Sequence, residues 1–582
     1  MNFRKERTFR LVSLVILVML TSSGAIQRDS ITFDLANDLK KVIQYVFLRG
    51  SPDYELARPV HNGGCRHIFP LLIVKPLNTQ EVSHAVKIAK AYGAELSVRS
   101  GGHSYQCEFF LLSYCSFLKC VCLIGTGTKQ DSVHLDLRRL NHIEFKAPYQ
   151  VVRLGPGAIF KNVLKKVPQK KFTVIHGNAL NVGVGGYLLG GGVNPLGTTH
   201  RHGYGADSVL EYTIVLADGR IAVVNDDNTT IIQNEYGNSV HQVHPHTHDT
   251  NLRYALRRAG ASYGIVTEFV YKVFQHPETL SVVALAFLKD QHDLQNLVHA
   301  GQEGRYAISI TQPMFYRRPK PAHLTAWGFI KVPQIVKFKA GQKVLPTAVS
   351  IVDLKSNNGK TDPGSALAFL QKYGIEVAEA GETFMESVGF DRVNLSVDDN
   401  ESVYMTHDEL KAEGYHTMTS ANANGFQSFN AIADTFLYHP KFGMFSREKE
   451  PSDNFVCDFC VWILYIGHPG KFASVMLDTQ IGPLYVGLDC TFNSHDAHKA
   501  TYCPKEVEKV QRIMMQNSLR LGEVPHQYSN TPGCDNTFFS FGQRYWGNSY
   551  PRLLKIKQYW DPDNSFNYCH SVGSKEEFCC VT

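Results

Sequence analysis

The sequence has little excess charge of either sign. Its 59 lysines and arginines stand against 53 aspartates and glutamates, a surplus of +6. Arg4, Lys5, Arg7 and Arg10 against Glu6 supply half of that surplus. The rest is too small and too dispersed for a nucleic-acid surface. The apolar run near the start, Leu11 to Leu20, is short for a membrane-spanning helix. With a basic flank before it and small Ser23 and Ala25 after it, residues 1–25 read as a secretory signal peptide cleaved before Ile26. No stable membrane insertion is expected. Paired carboxylates or cysteines are missing around His241, His244, His246 and His248. That stretch therefore reads as a solvated loop, and no metal is expected. Cys457-Asp-Phe-Cys460 lacks the second ligand pair of a zinc site and the βαβ context of a thioredoxin motif. It reads as a structural disulfide or two buried thiols.

What is present is ordinary globular composition, 43% hydrophobic and 19% charged, enough for two or three domains. Thirteen cysteines suit an oxidising route, extracellular or through the endomembrane lumen, and the odd count leaves at least one outside an internal pair. Asn228, Asn394 and Asn400 head glycosylation sequons. Residues 107–125 are apolar and cysteine-rich, and read either as an insertion packed against its domain or as an error in the reading frame.

The chain is organised around Val98-Arg-Ser-Gly-Gly-His-Ser-Tyr105. Two glycines let the backbone turn tightly and approach a ligand, and successive amides in such a turn favour anions, phosphate above all. Upstream, Leu71 to Val74 reads as a buried strand. Asn78 with Glu81 reads as a helix start, with Val82, Ala85, Val86 and Ala89 on one face and Gly93 at its end. A strand from Glu95 to Val98 then feeds the turn. On this pattern alone, a cofactor-phosphate turn and a surface turn with a solvated histidine stand level. A second cluster, Gly183-Val-Gly185-Gly186-Tyr-Leu-Leu-Gly190-Gly191-Gly192, is not the dinucleotide fingerprint, because Leu188 stands where its third glycine would be.

Taken together, Ser100-Gly-Gly-His-Ser-Tyr105 and this cluster resemble the FAD-linked oxidases of the p-cresol methylhydroxylase/vanillyl-alcohol oxidase superfamily, in its berberine-bridge-enzyme-like branch. His134-Leu-Asp-Leu137, Gly155-Pro-Gly157, Asp249 to Leu256, Gly260 to Val266, Tyr545-Trp-Gly-Asn548 and Asp561-Pro-Asp-Asn-Ser-Phe566 follow in the same order. The resemblance implies an α+β fold. A two-subdomain PCMH-type FAD-binding domain would span 60–275. A substrate domain with an antiparallel sheet covered by helices would span 276–525, and a closing segment, 526–574, would rejoin the FAD domain. The alternating segments Leu280 to Phe287 and Tyr306 to Ile310 read independently as strands of such a sheet, and Ser365 to Tyr373 and Lys505 to Leu519 as helices.

The resemblance also implies the site. Arg99, Ser100, Gly101, Gly102, His103 and Ser104 would cradle the FAD, with Val182, Gly183, Gly185, Gly186, Gly264, Val266 and Asn548 completing the cofactor site. His103 would bond covalently to the flavin. The family's second, cysteinyl tether falls on Ala179, which cannot form it, so one bond is expected. Tyr528, in Tyr528-Ser-Asn530, corresponds to a catalytic base for a hydroxyl proton; a core or rim tyrosine is the other reading. The family's other active-site tyrosine is here Val193. Val182 stands where valine goes with oxidases and leucine with dehydrogenases, one methylene deciding whether oxygen can pass. The expectation is a secreted oxidase of a small alcohol, sugar or secondary metabolite, with molecular oxygen as second substrate. A dehydrogenase with another acceptor, or a catalytically silent flavin-binding protein, are the alternatives. Arg258-Ala259, where the family has glycines, keeps the silent reading open.

Overall fold

The computed structural model describes residues 31–62, 65, 67–104, 127–167, 172–177, 181–194, 199, 202–275, 281–287, 291–315, 347–356, 360–383, 415–422, 426–443, 456–457, 459–467, 484–492, 497–523, 526–528, 540–568 and 570–574. The leader, residues 107–125, Ala179, Asn530, Asn394 and Asn400 lie outside them.

Three sheets organise the chain. The first has strands β1 (Val46–Leu48), β2 (Leu72–Val74), β3 (Leu96–Arg99) and β4 (Val133–Asp136), in the order β1-β2-β4-β3. β2 and β3 both run parallel to β4. Parallel neighbours need a crossover, and helix α1 (Thr79–Ala91) supplies the one from β2 to β3. Its start is fixed as the sequence predicts. Asn78 accepts from the Glu81 amide at 2.9 Å, and Glu81 reaches back to the Leu77 amide at 3.0 Å. Val82, Ala85, Val86 and Ala89 are buried against the sheet, and Gly93 leaves the helix at φ +64°.

The second sheet is antiparallel and seven-stranded. It comprises β5 (Ile143–Lys146), β6 (Val151–Leu154), β8 (Val209–Val215), β9 (Ile221–Val224), β10 (Asn228–Gln233), β11 (Ser239–Pro245) and β12 (Ile265–Lys272), in the order β11-β10-β9-β8-β12-β6-β5. A short pair, β7 (Phe172–Thr173) and β13 (Phe274–Gln275), stands beside it. The histidine-rich stretch is corrected here. It is not a loop: His241 and His244 lie on β11, the edge strand, paired along β10. An exposed edge strand has no apolar alternation to betray it. His244 packs edge-on to Trp560, and His246 lies 3.1 Å from the Thr229 hydroxyl.

The third sheet is also antiparallel. Its strands are β14 (Ser281–Phe287), β15 (Tyr306–Phe315), β16 (Thr347–Asp353), β17 (Glu376–Thr383), β18 (Tyr415–Asn422), β19 (Phe459–Ile466) and β20 (Leu484–Phe492), in the order β17-β14-β16-β15-β19-β20-β18. Helices α2 (Gln291–Gln302), α3 (Pro363–Lys372), α4 (Phe426–Tyr438) and α5 (Ala497–Leu519) pack on one face. Trp462, Leu464 and Ile466 point into that core, so by the strand's period of two Ile463 and Tyr465 point to the other face. The Cys-x-x-Cys residues do form disulfides, but not with each other. Cys457 pairs with Cys503, and Cys460 with Cys490 directly across the β19–β20 ladder.

The chain's end returns to the second sheet. Phe541, Tyr545 and Trp546, with Leu553, Ile556 and Trp560 of α6 (Tyr550–Trp560), are buried in the same core as Val152, Tyr212 and Phe269. The Lys557 ammonium donates to the Ser262 carbonyl (2.6 Å), the Phe566 carbonyl (3.0 Å) and Asp561 (2.6 Å). Asp561 in turn accepts from the Ser565 and Phe566 amides. The closing Asp-Pro-Asp-Asn-Ser-Phe motif is thus a clamp on the Gly260-Ala-Ser turn. Arg258 also has a structural role. Its guanidinium lies 3.7 Å from the Tyr254 ring centroid, with Arg552 at 3.8 Å from the same ring, and its carbonyl accepts from the Trp546 indole.

Candidate functional site

The two glycine clusters meet. A Cβ on Gly101 would lie 2.6 Å from the Gly183 nitrogen, and a Cβ on Gly183 would lie 2.3 Å from the Gly101 nitrogen. The turns touch backbone to backbone, which only glycine permits. Ser100 staples the contact. Its hydroxyl donates to the Pro156 carbonyl and accepts from the Gly185 amide at 3.2 Å. Gly155-Pro-Gly157 lies under this joint, pressed on Leu137 and Leu140. Gly186 has nothing within 4 Å of where its Cβ would be, so the cradle opens there. Val182 is half-buried against the core, its carbonyl accepting from the Phe160 amide.

Beneath the first turn is a buried charge cluster that sequence reasoning missed. Gly102 turns at φ +78° directly over the Arg99 guanidinium. Arg99 and Arg138 both donate to the Ala57 carbonyl, at 2.8 and 3.2 Å. Arg138 holds Asp136 through two bonds, at 2.8 and 2.6 Å, and Lys75 stands 3.6 Å from the same carboxylate. Burial alone would raise the Asp136 carboxyl. Arg138, Arg99 and Lys75 outweigh it and hold it well below the usual range. Arg99, Arg138 and Lys75 thus gather round Asp136 beneath the first turn. The motif His134-Leu-Asp-Leu137 carried the signal; its partner Lys75 did not stand out.

His134 belongs to this cluster, with Nδ1 2.8 Å from the Ser97 hydroxyl. Burial pushes its ring down to about 3 from 6.5, against the pull of Asp136 and with help from the cations. Because the fold keeps this ring neutral, the unfolded chain takes up its proton first. The His134 contribution to stability should therefore fall as pH drops from about 6.5 to about 3 and level off below. Asp136, whose carboxyl is depressed, loses its contribution only below the ordinary carboxylate value of 3.8. Urea midpoints between pH 7 and 4 should show the slope, and His134→Gln should flatten part of it. Equal slopes in both proteins would refute the assignment.

His103 follows Gly102, half-buried, its ring stacked on His61 at 3.9 Å and 15°. The His61 amide donates to the Gly102 carbonyl at 2.9 Å, fixing the stack. Ser104 is half-buried beside it. Gly264 stands just before β12, and Val266 lies within it. Gly264, at φ +156°, presses on β8, and Val266 is buried in β12 opposite Ile214. Asn548 is exposed in the turn before α6.

Tyr528 is 7% exposed, and its oxygen accepts from the amides of Gly192 and Val193, at 2.9 and 3.2 Å. Tyr204, Tyr465 and Tyr485 are buried with it, and Val193 and Ile463 pack against them. This cluster joins the second glycine segment to the face of the third sheet that carries Ile463 and Tyr465. Tyr465 and Tyr485 are stacked at 5.1 Å across the β19–β20 ladder. Buried Ser309 and Ser350, paired across the β15–β16 ladder, belong by the same alternation to the Tyr465 face of that sheet. Burial raises the Tyr187 and Tyr204 phenols. Tyr528 was picked out by resemblance, but the sequence, with 27 tyrosines, offered no way to select the three that surround it.

The family described as FAD binding domain matches residues 122–225, and that described as Berberine and berberine like matches residues 525–573. The first match begins after Arg99–Ser104. An FAD-dependent monooxygenase (tpcD) of Cochliobolus heterostrophus is 23% identical over 322 residues, half of this chain and 52% of that protein's length. A chitooligosaccharide oxidase of Gibberella zeae is 23% identical over 515 residues, covering 87% of this chain and 88% of that protein. A solved chitooligosaccharide oxidase superposes with a TM-score of 0.64 at 19% identity, over 93% of this chain and 99% of that one. That likeness is one of fold, and it is the α+β architecture of PCMH-type FAD oxidases.

Proposed function

We propose, for a chain that belongs to the berberine-bridge-enzyme-like FAD-linked oxidoreductases, that it is a secreted oxidase of a small hydroxylated substrate, releasing hydrogen peroxide. The observation that carries this reading is Tyr528, its oxygen held by two amides in a buried cluster between the glycine cradle and the third sheet. Ser100 to Ser104, with Gly183, Gly185 and Gly186, would hold the cofactor's anionic part over the Arg99–Arg138–Lys75 cluster. His103 would tether it, steadied by the His61 ring. Ala179 leaves that as the one bond. Gly264, Val266 and Asn548 would complete the cofactor's surroundings. Bound there, FAD supplies the acceptor for the substrate's hydride and, once reduced, the place where oxygen is consumed. Tyr528 takes the hydroxyl proton. The tyrosine cluster and Ile463 keep water from the reacting carbon, and Ser309 and Ser350 offer hydroxyls to a polar substrate. Sugars are the class we favour, because the similar Gibberella zeae protein is named a chitooligosaccharide oxidase. Two disulfides among the described residues accord with an oxidising compartment. No described helix is long and apolar enough to cross a membrane.

Peroxide release in air across a panel of oligosaccharides and small alcohols tests the reading. Alongside it, a peptide map should find flavin on His103 alone. Reduced enzyme should reoxidise quickly in aerated buffer, and Val182→Leu should slow this by about tenfold or more, since one extra methylene closes a packed wall. A wild type as slow as its leucine variant moves the protein to the dehydrogenase reading.

A further inference from the structure

We propose that Gln527 is a positioning residue, whose side chain ties the core of the third sheet to that of the second and so aims Tyr528. This rests on the reading of Tyr528 as the base, and names what keeps that base in line.

Three buried side chains meet at one oxygen. The Gln511 side-chain amide donates to the Gln527 Oε1 at 3.0 Å, and the Arg544 guanidinium donates to the same oxygen at 3.1 Å. An amide oxygen has two lone pairs, so it serves both donors. The donors come from different cores. Gln511 lies on α5, whose Val507, Val510 and Met514 belong to the core under the third sheet. Arg544 lies on the short helix Phe541–Trp546, whose Phe541, Tyr545 and Trp546 belong to the core of the second. The main chain repeats the second link, the Gln527 amide donating to the Arg544 carbonyl at 2.8 Å. One residue thus joins both cores through three hydrogen bonds.

Tyr528 is the next residue, so this joint sets where its ring begins. The ring enters the cluster of Tyr204, Tyr465 and Tyr485, and its oxygen reaches the Gly192 and Val193 amides. Those amides hold the far end of the side chain, and the Gln527 joint holds the near end. Both ends matter because the ring stands between two bodies. Val193 and Tyr204 come with the second glycine segment, Tyr465 and Tyr485 with the third sheet. A slip of one body past the other would carry the Tyr528 main chain away from the donors on its oxygen. A catalytic group has to stay within about 0.5 Å of its working position. A misplacement of about 1 Å costs about 100-fold in rate. The joint resists such a slip, because parting it strands two buried donors, one of them charged. Gln527 itself moves no proton and acts through its neighbour.

Anaerobic stopped-flow on the holoenzyme tests this, with the panel substrate that releases most peroxide. Gln527→Met keeps the length of the side chain and removes the acceptor. It should lower the limiting rate of flavin reduction by about tenfold or more, the scale of a base held out of line. Flavin content should not change, and the dissociation constant of the substrate should move by less than about threefold. Gln527→Glu keeps an acceptor for both donors and should bring the rate back to within about threefold of wild type. In the Tyr528→Phe protein, adding Gln527→Met should slow reduction no further, because the group being aimed is gone. A joint that only stabilised the fold would slow both backgrounds by the same factor, and that result overturns the proposal. So does a Gln527→Met protein that reduces at the wild-type rate, or a glutamate variant no faster than the methionine one. If Gln527→Met does not fold, Gln511→Met removes one donor and carries the same comparison, slowing reduction only where Tyr528 is present. The base reading fails separately, if Tyr528→Phe reduces its flavin at the wild-type rate.

Discussion

Tyr528→Phe should slow flavin reduction by a good substrate about 100-fold or more, the scale of a lost general base. Flavin content should stay at the wild-type level, because the glycine cradle and the Arg99 cluster are built from other residues. The substitution should also lower the thermal midpoint by a few degrees. It leaves the Gly192 and Val193 amides buried without their acceptor, at about 1–3 kcal/mol for such a loss. The two effects separate by method. Anaerobic stopped-flow reads the first, and thermal unfolding reads the second. An unaltered reduction rate removes Tyr528 from the mechanism, whatever happens to stability.

Gly183→Ala should yield a protein with little or no flavin and a much lower thermal midpoint. Its new methyl would lie 2.3 Å from the Gly101 nitrogen and 2.6 Å from the Gly101 Cα. Both are backbone atoms with no rotamer to retreat into, so the turns must part. Overpacking of this kind costs about 1–3 kcal/mol even where side chains can yield, and here they cannot. Gly101→Ala meets the same wall from the other side, 2.6 Å from the Gly183 nitrogen. Gly186→Ala is the contrast. Its methyl enters open space, so the flavin-free protein should melt like wild type while flavin uptake falls. Flavin absorbance per chain and calorimetry check all three. A fully flavinated Gly183→Ala protein with an ordinary melting temperature would falsify the contact.

The local parts of this site were legible. Asn78 and Glu81 announce a helix start because capping is settled within four residues. Ser100-Gly-Gly-His announces a tight turn because glycine alone takes such angles cheaply. What no local pattern contains is the approach of residues far apart in the chain. Gly101 meets Gly183, and Lys75 meets Asp136, only through the sheet that places them. The Cys-x-x-Cys spacing suggested a local pair, yet strand pairing sent Cys460 across to Cys490. β11 escaped notice because its side chains mostly face water. Tyr528 could be picked out by resemblance, but not the two amides that hold it, since main-chain donors leave no trace in a sequence.

The clamp between Lys557 and the Ser262 carbonyl spans 295 positions of the chain. On a ribosome that separation is a time. At about 5–20 residues per second, the turn at Ser262 waits about 15 to 60 seconds for its partner to be made. During the wait the whole third sheet emerges and can close its own core. The core under Tyr212 and Phe269 meanwhile lacks Phe541, Leu553 and Trp560, and shows apolar surface to its surroundings. The half that forms first is therefore the half that finishes last. Nascent chains paused before residue 550 should be the ones that chaperones hold, and cofactor loading belongs after release.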